Sequence, residues 1–268
     1  MSPNRTLPND VDAAPPMPDP DTATPWPYPR WIAHRGAGRL APENTLAAFR
    51  AGAALGWRAF ECDVKLSADG VPFLLHDDTL ERTTNGAGRG GDQPWSALSR
   101  LDAGTWHSRA YAGEPPATLE AVARHCQAHR HWLNIEIKPT PGLERETGRA
   151  VAAEARRLWA AQVDRPPLLT SFQPDSLRGA LETAPELRRG LLLHKLWDGW
   201  LDAARELGCA AIVCQQDLWT EDTSAQVQAA GMRRLAYTVN EESSAARLLA
   251  LGLDGIITDR VDGFVPEN

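Results

Sequence analysis

Cysteine is scarce in this chain: four residues in 268, Cys62, Cys126, Cys209 and Cys214, with no CxxC spacing among them. That excludes a zinc knuckle and a disulfide framework, and leaves reduced, mostly buried thiols as the reading. No apolar run approaches the roughly 20 residues needed to span a bilayer, so no membrane insertion is expected. Clustered Lys and Arg are also missing. With a formal charge of −7 and a pI near 5.5, the surface repels polyanions, so nucleic acid and anionic membranes are poor partners. The opening residues, MSPNRTLPND, lack the apolar core of a secretory signal, which points to a cytoplasmic protein.

What is present is ordinary for a soluble globular chain, 43% hydrophobic and 24% charged. The length admits a single core, because α/β barrels run to about 250 residues. Residues 1–26 hold many of the prolines and show no hydrophobic period, so they read as a disordered or extended tail. Residues 27–268 are expected to form one domain that begins near Tyr28.

From residue 30 onward, short β-branched or apolar runs alternate with helical patterns, the signature of βα repetition and a parallel sheet. The runs are Trp31 to His34, Ala59 to Val64, Trp132 to Ile137, Leu168 to Ser171, Gly190 to Leu193, Ala211 to Cys214, Arg234 to Thr238 and Gly255 to Thr258. Helical spacing joins Leu46, Phe49 and Ala53, then Val151, Ala155 and Leu158, then Ala245, Leu248 and Leu249. Gly56, Gly208, Gly231 and Gly252 stand where C-terminal glycines would stop four helices. Eight strands with intervening helices suit a closed barrel better than an open doubly wound sheet.

Residues 77–117 break this rhythm with turn residues and a glycine cluster, and read as an insertion after the second strand that walls a site. Within it, Gly86 to Gly91 formally matches GxGxxG. No strand leads into it and no helix leaves it, so a dinucleotide role is rejected.

The most informative local pattern is Phe60-Glu61-Cys62-Asp63-Val64. Side chains alternate across a strand, so Glu61 and Asp63 share the face toward the barrel mouth while Phe60, Cys62 and Val64 face the helices. Ile135-Glu136-Ile137-Lys138 repeats the arrangement. Three carboxylates converging at about 4 Å would repel by roughly 4 kcal/mol per pair at an effective dielectric near 20, so a positive charge must sit among them. An all-oxygen site selects a hard cation, Mg²⁺ or Ca²⁺, over zinc. Arg35 and Lys138 could instead neutralise the acids directly as a salt-bridge cluster.

Two of the seven histidines sit at the same rim: His34, ending the first strand, and His76, following the apolar run Val71 to Leu75. Imidazoles can act there as general acid and general base near neutral pH. His107, His125, His129, His131 and His194 have no such setting and read as surface or loop residues. Asn44 or Thr45 reads as the N-cap of the first helix, while Glu43 could orient Arg35 or His34. Tyr237, Asn240 and Asp259 end the last two strands, facing either the functional rim or packing.

Taken together, His34-Arg35-Gly36, Pro42-Glu43-Asn44-Thr45, Glu61-Cys62-Asp63, Leu75-His76-Asp77, Glu136-Ile137-Lys138, Tyr237-Thr238-Val239-Asn240 and Thr258-Asp259 resemble the glycerophosphodiester phosphodiesterase family in order and spacing. The resemblance runs from about Pro27 to Asp262 and is strongest to the bacterial cytoplasmic branch associated with glycerol-3-phosphate uptake. It implies a (β/α)8 TIM barrel with a small insertion after the second strand. It also implies one divalent cation, Mg²⁺ or Ca²⁺, on Glu61, Asp63 and Glu136, with His34 and His76 as the acid/base pair. Arg35 and Lys138 would hold the phosphate, with Glu43 and Tyr237 also at the substrate; Tyr237 stands where the family often has Trp. The implied reaction is hydrolysis of small-molecule glycerophosphodiesters to sn-glycerol 3-phosphate and an alcohol. A lyase that stops at a cyclic phosphate and a non-catalytic phosphodiester-binding barrel are the alternatives.

Overall fold

A computed structural model describes residues 26–266. The strands are β1 (Trp31–Ala33), β2 (Ala59–Leu66), β3 (Pro72–Leu74), β4 (Trp132–Ile137), β5 (Leu168–Ser171), β6 (Arg188–Leu193), β7 (Ala211–Gln215), β8 (Arg233–Tyr237) and β9 (Gly255–Thr258). The helices are α1 (Leu46–Ala54), α2 (Trp95–Leu98), α3 (Leu119–Ala128), α4 (Glu144–Trp159), α5 (Pro174–Thr183), α6 (Trp200–Glu206), α7 (Glu221–Ala229) and α8 (Glu242–Ala250). Every strand except β3 pairs in parallel with its neighbours, and β1 pairs with both β2 and β9. The sheet therefore closes into the eight-stranded barrel that the βα rhythm implies.

The ninth strand, β3, is absent from the sequence reading. It is three residues long and begins with proline, too short to show a period of two. It runs antiparallel to β2, with Val64 opposite Leu74, and the Leu75 N–H donates to the Asp63 carbonyl at 3.1 Å. That reversal delivers His76 to the end of β2.

Alternation along the strands separates two cores. Outward-facing Phe60, Cys62, Val64, Ile135 and Ile137 pack with helix residues such as Phe49, Val122 and Val151. Inward-facing Ile32, Ala59, Trp132, Leu168, Leu192, Val213, Leu235 and Ile257 fill the barrel's interior below the acids. Closure between β1 and β2 rests on few ladder bonds, and Trp57 reinforces it. Its indole is fully buried, and Nε1 donates to the Val261 carbonyl at 3.0 Å, tying the approach to β2 to the segment after β9.

The four expected stop glycines all follow helices and all have positive φ. Thr45 is the N-cap of α1, its hydroxyl accepting from the Ala48 N–H. Asn44 has a different role, described below. The four cysteines are buried and unpaired. Gly86 to Gly91 leads into a single 3-10 turn and no long helix, so the dinucleotide match is accidental. No described helix is long and apolar enough to cross a membrane. The expected tail lies outside the described residues except for Trp26, whose ring packs on Tyr28 with centroids 4.6 Å apart.

Candidate active site

Parallel register places Asp63 of β2 directly beside Glu136 of β4, with Glu61 one inward position below. Carboxylate oxygens of the three lie within 4.8 Å of one another, and all three residues are buried. Among the described residues Glu61 Oε1 and Asp63 Oδ1 have no hydrogen-bond partner, and Glu136 Oε1 faces the Lys138 ammonium.

Two cations reach this cluster. Arg35 Nε lies 3.1 Å from Asp63, and Lys138 Nζ lies 3.1 Å from Glu136 and 4.0 Å from Asp63. Burial works against the charge on Asp63, but Arg35, then Lys138, hold its pKa down at about 2. Glu136 is pushed up to about 7, by burial first and by Asp63 second. Glu61 is also raised, by burial first, then by Asp63 and Glu136; the Arg35 backbone N–H donates to it at 3.1 Å. Direct neutralisation by Arg35 and Lys138 is thus real but incomplete, since three acids face two cations and Arg35 is shared with Glu43. Three buried carboxylates that converge within 4.8 Å, two of them with an unpartnered oxygen, fit a hard divalent cation.

The two histidines flank the acids, each with a carboxylate on Nδ1. His34 Nδ1 lies 2.6 Å from Asp259 Oδ1, and its Nε2 lies 3.8 Å from Glu61. Asn240 in turn donates to Asp259 Oδ2 at 3.0 Å and accepts from the Asp259 N–H. Burial disfavours ionised Asp259, yet the hydrogen bond from His34 overrides it and holds the carboxyl at about 2. Gly38 permits this geometry, because a Cβ there would strike the backbone of Asp259. His76 Nδ1 lies 2.7 Å from Asp77 Oδ1. Its pKa is lowered, by burial first; Asp63 acts in the opposite sense, and Arg35 and Lys138 add to the lowering.

A ring of charge surrounds these groups. Arg35 Nη1 donates to Glu43 at 2.8 Å, and Arg82 donates to both Glu43 oxygens and to Asp77. Glu43 therefore orients Arg35 and makes no contact with His34. Asn44, read as a possible helix cap, is instead buried with φ +59°, its amide donating to Asp63 Oδ2 at 2.8 Å and its carbonyl accepting from the Asp63 N–H. It fixes the Asp63 carboxylate.

Tyr237 packs edge-on against Phe172 and gives its hydroxyl to the Leu193 carbonyl, so it offers the site a ring face. With His34, Arg35, Glu61, His76, Glu136 and Phe172 it lines a cavity of about 140 Å³. Asn134 sits on the same wall with an unpartnered amide nitrogen. Sequence reasoning assigned no role to Asn134, Arg82 or Asp77 and left Asp259 open. Of the remaining histidines, His194 packs on Phe172 at the cavity's edge, with centroids 5.9 Å apart, and His131, in the loop before β4, is buried and not a surface residue.

Fold and mouth together define the class: a (β/α)8-barrel hydrolase whose acids, histidines and cations gather at the C-terminal ends of the strands. The model of the glycerophosphoryl diester phosphodiesterase family matches residues 34–263. A glycerophosphodiester phosphodiesterase of Caldanaerobacter subterraneus subsp. tengcongensis is 33% identical over 233 residues, covering 85% of this chain and 93% of that protein. A phosphodiesterase of Oleispira antarctica, solved with its product sn-glycerol-3-phosphate, has a TM-score of 0.81 at 36% identity over 87% of this chain and 93% of that one. A glycerophosphodiester phosphodiesterase from Agrobacterium tumefaciens str. C58 has a TM-score of 0.71 at 29% identity over 87% and 97% of the two chains. The chain belongs to the glycerophosphoryl diester phosphodiesterase family.

Proposed function

We propose that this barrel hydrolyses glycerophosphodiesters to sn-glycerol 3-phosphate and an alcohol, with Glu61, Asp63 and Glu136 holding Mg²⁺ or Ca²⁺ and His34 and His76 carrying the protons. The observation that carries it is the set of three buried carboxylates with oxygens within 4.8 Å of one another, flanked by two imidazoles and two cations. The product-bound relative supports the choice of substrate.

A phosphodiester repels nucleophiles and leaves behind a basic alkoxide, so it needs positive charge on its oxygens and a proton on its leaving group. Glu61, Asp63 and Glu136 would hold the cation, which would supply Lewis acidity at the phosphate. Arg35 and Lys138, the cations beside the acids, hold the phosphate. One histidine takes the proton of the attacking hydroxyl as the new P–O bond forms, and the other protonates the departing alcohol oxygen as the old one breaks. Asp259 and Asp77 keep the proton on Nδ1 of each imidazole, which leaves Nε2 for these transfers. Glu43 acts through Arg35, and Tyr237 with Phe172 forms the apolar wall beside the substrate.

Turnover of glycerophosphocholine, read as released glycerol 3-phosphate, is expected to vanish in EDTA and return with Mg²⁺ or Ca²⁺. The same cations at 100-fold over Kd should stabilise the fold by about 2.7 kcal/mol. Full turnover in EDTA would overturn the metal assignment. A cyclic phosphate seen by ³¹P NMR would make the neighbouring glycerol hydroxyl the attacking group; its absence would make water the nucleophile.

A further inference from the structure

Arg82 reaches both halves of the site without lining the cavity. It lies in the long connection between β3 and α3, and its side chain is half-exposed. Nε and Nη2 donate to the two Asp77 oxygens at 2.6 and 3.0 Å, while Nη1 and Nη2 donate to the two Glu43 oxygens at 2.8 Å each. Beyond Asp77 stands His76 Nδ1, at 2.7 Å; beyond Glu43 stands Arg35, at 2.8 Å, and then Asp63, at 3.1 Å. One guanidinium thus makes two bidentate forks, a geometry a lysine ammonium does not reproduce.

We propose that Arg82 is a positioning residue: it fixes the His76–Asp77 pair and the Arg35–Glu43 pair in one frame, so that a proton-transfer group and a phosphate-binding cation are set by a side chain that touches neither substrate nor metal. This rests on the roles assigned above to His76 and Arg35. Arg82 also decides how much of the Asp77 charge His76 feels. The charged groups acting on His76 are Asp77 and Asp63, which favour imidazolium, and Arg35 and Lys138, which oppose it. Arg82 holds Asp77 well below the usual carboxylate range and compensates its charge. Without Arg82, that compensation is lost, and imidazolium becomes more favourable.

The test is Arg82→Ala, assayed on glycerophosphocholine at saturating Mg²⁺ across pH, beside His76→Ala and Arg35→Ala. Expected are a fall in kcat/KM of about 10²-fold, shared between kcat (through His76) and KM (through Arg35). The pH limb that reports His76 should move up by about one unit, and millimolar guanidinium should restore part of both losses. A purely structural role would lower the melting temperature and leave the pH limb in place. If Arg82→Ala does not fold, Arg82→Lys carries the test: it keeps the charge but forms neither bidentate fork, so it should move KM or the pH limb and not leave both at wild type. Wild-type turnover and pH profile in Arg82→Ala or Arg82→Lys, with His76→Ala and Arg35→Ala inactive, would overturn this proposal alone. Wild-type turnover in His76→Ala and Arg35→Ala would overturn the functional reading beneath it.

Discussion

At the mouth of the barrel, His34 and His76 each meet a carboxylate through Nδ1, at 2.6 Å from Asp259 and 2.7 Å from Asp77. At the opposite rim, His125, His129 and His131 meet one another, with ring centroids 4.4 to 6.0 Å apart, and the further charges that bear on His131 are those of Arg58 and Arg165. A carboxylate at Nδ1 fixes the tautomer and holds the ring in place, and at His76 it offsets part of the lowering that burial causes. A buried ring among other histidines and arginines gains nothing from a proton. His131 is accordingly pushed down to about 4, by burial first and by His125 and His129 next. On the proposed function, one residue type thus serves chemistry at one end and packing at the other, and its neighbours decide which.

The largest effects should separate the two ends. His34→Ala and Glu61→Ala at the mouth are each expected to cost about 10³-fold or more in glycerophosphocholine turnover while the fold persists. Near wild-type turnover in either would remove the distinction. Glu61→Gln sharpens it further, because an acid crowded by Asp63 and Glu136 destabilises the metal-free protein. In EDTA this variant should be more stable than wild type by about 1 kcal/mol, although inactive. At the other end, Trp57→Ala removes the fully buried indole that ties the approach to β2 to Val261. It should cost about 3–5 kcal/mol of stability with turnover per folded molecule unchanged, a result that urea unfolding and active-site-normalised rates would check.

Much of the mouth was legible beforehand because it obeys a local rule. Phe60 to Val64 sorts itself by alternation into acids on one face and apolar groups on the other, and parallel register with β4 brings Glu136 alongside Asp63. What stayed hidden depends on distant contacts. Asp259 meets His34 across 225 positions of chain, and nothing near either residue announces the other. Arg82 lies 39 positions from Glu43, in a segment without a βα pattern. Asn44 misled for a different reason: a small polar residue just before a helix has the composition of an N-cap, and only its positive φ and its two bonds to Asp63 distinguish it. β3 was too short to show any period.

A smaller effect probes the orienting carboxylate at the mouth. Asp259→Asn keeps the size of the side chain and its bond to Asn240 but allows His34 the wrong tautomer. It should lower kcat by about 10²-fold with little change in KM, since His34 would still occupy the cavity wall. Equal changes in kcat and KM would indicate that Asp259 shapes the pocket and does not govern the proton.

The smallest effect belongs to the far rim and is read as stability against pH. His131 in the folded protein has a pKa below that of an exposed histidine, so the unfolded chain takes up a proton first as the pH falls. Its neutral form is compatible with the fold at full stability above about pH 6.5. Between there and about pH 4, protonation favours the unfolded chain and stability declines. By pH 5 the loss from this one ring should be about 2 kcal/mol, or roughly 4–8 °C of melting temperature for a chain of this size. His131→Phe keeps an aromatic ring against Phe60, which it meets edge-on at 5.2 Å, and removes the titrating group. Its melting temperature should therefore fall less than that of wild type between pH 7 and 5, at unchanged turnover. An identical decline in both proteins would mean that the far-rim histidines exchange protons without consequence for the fold, and the contrast between the two ends would then rest on the mouth alone.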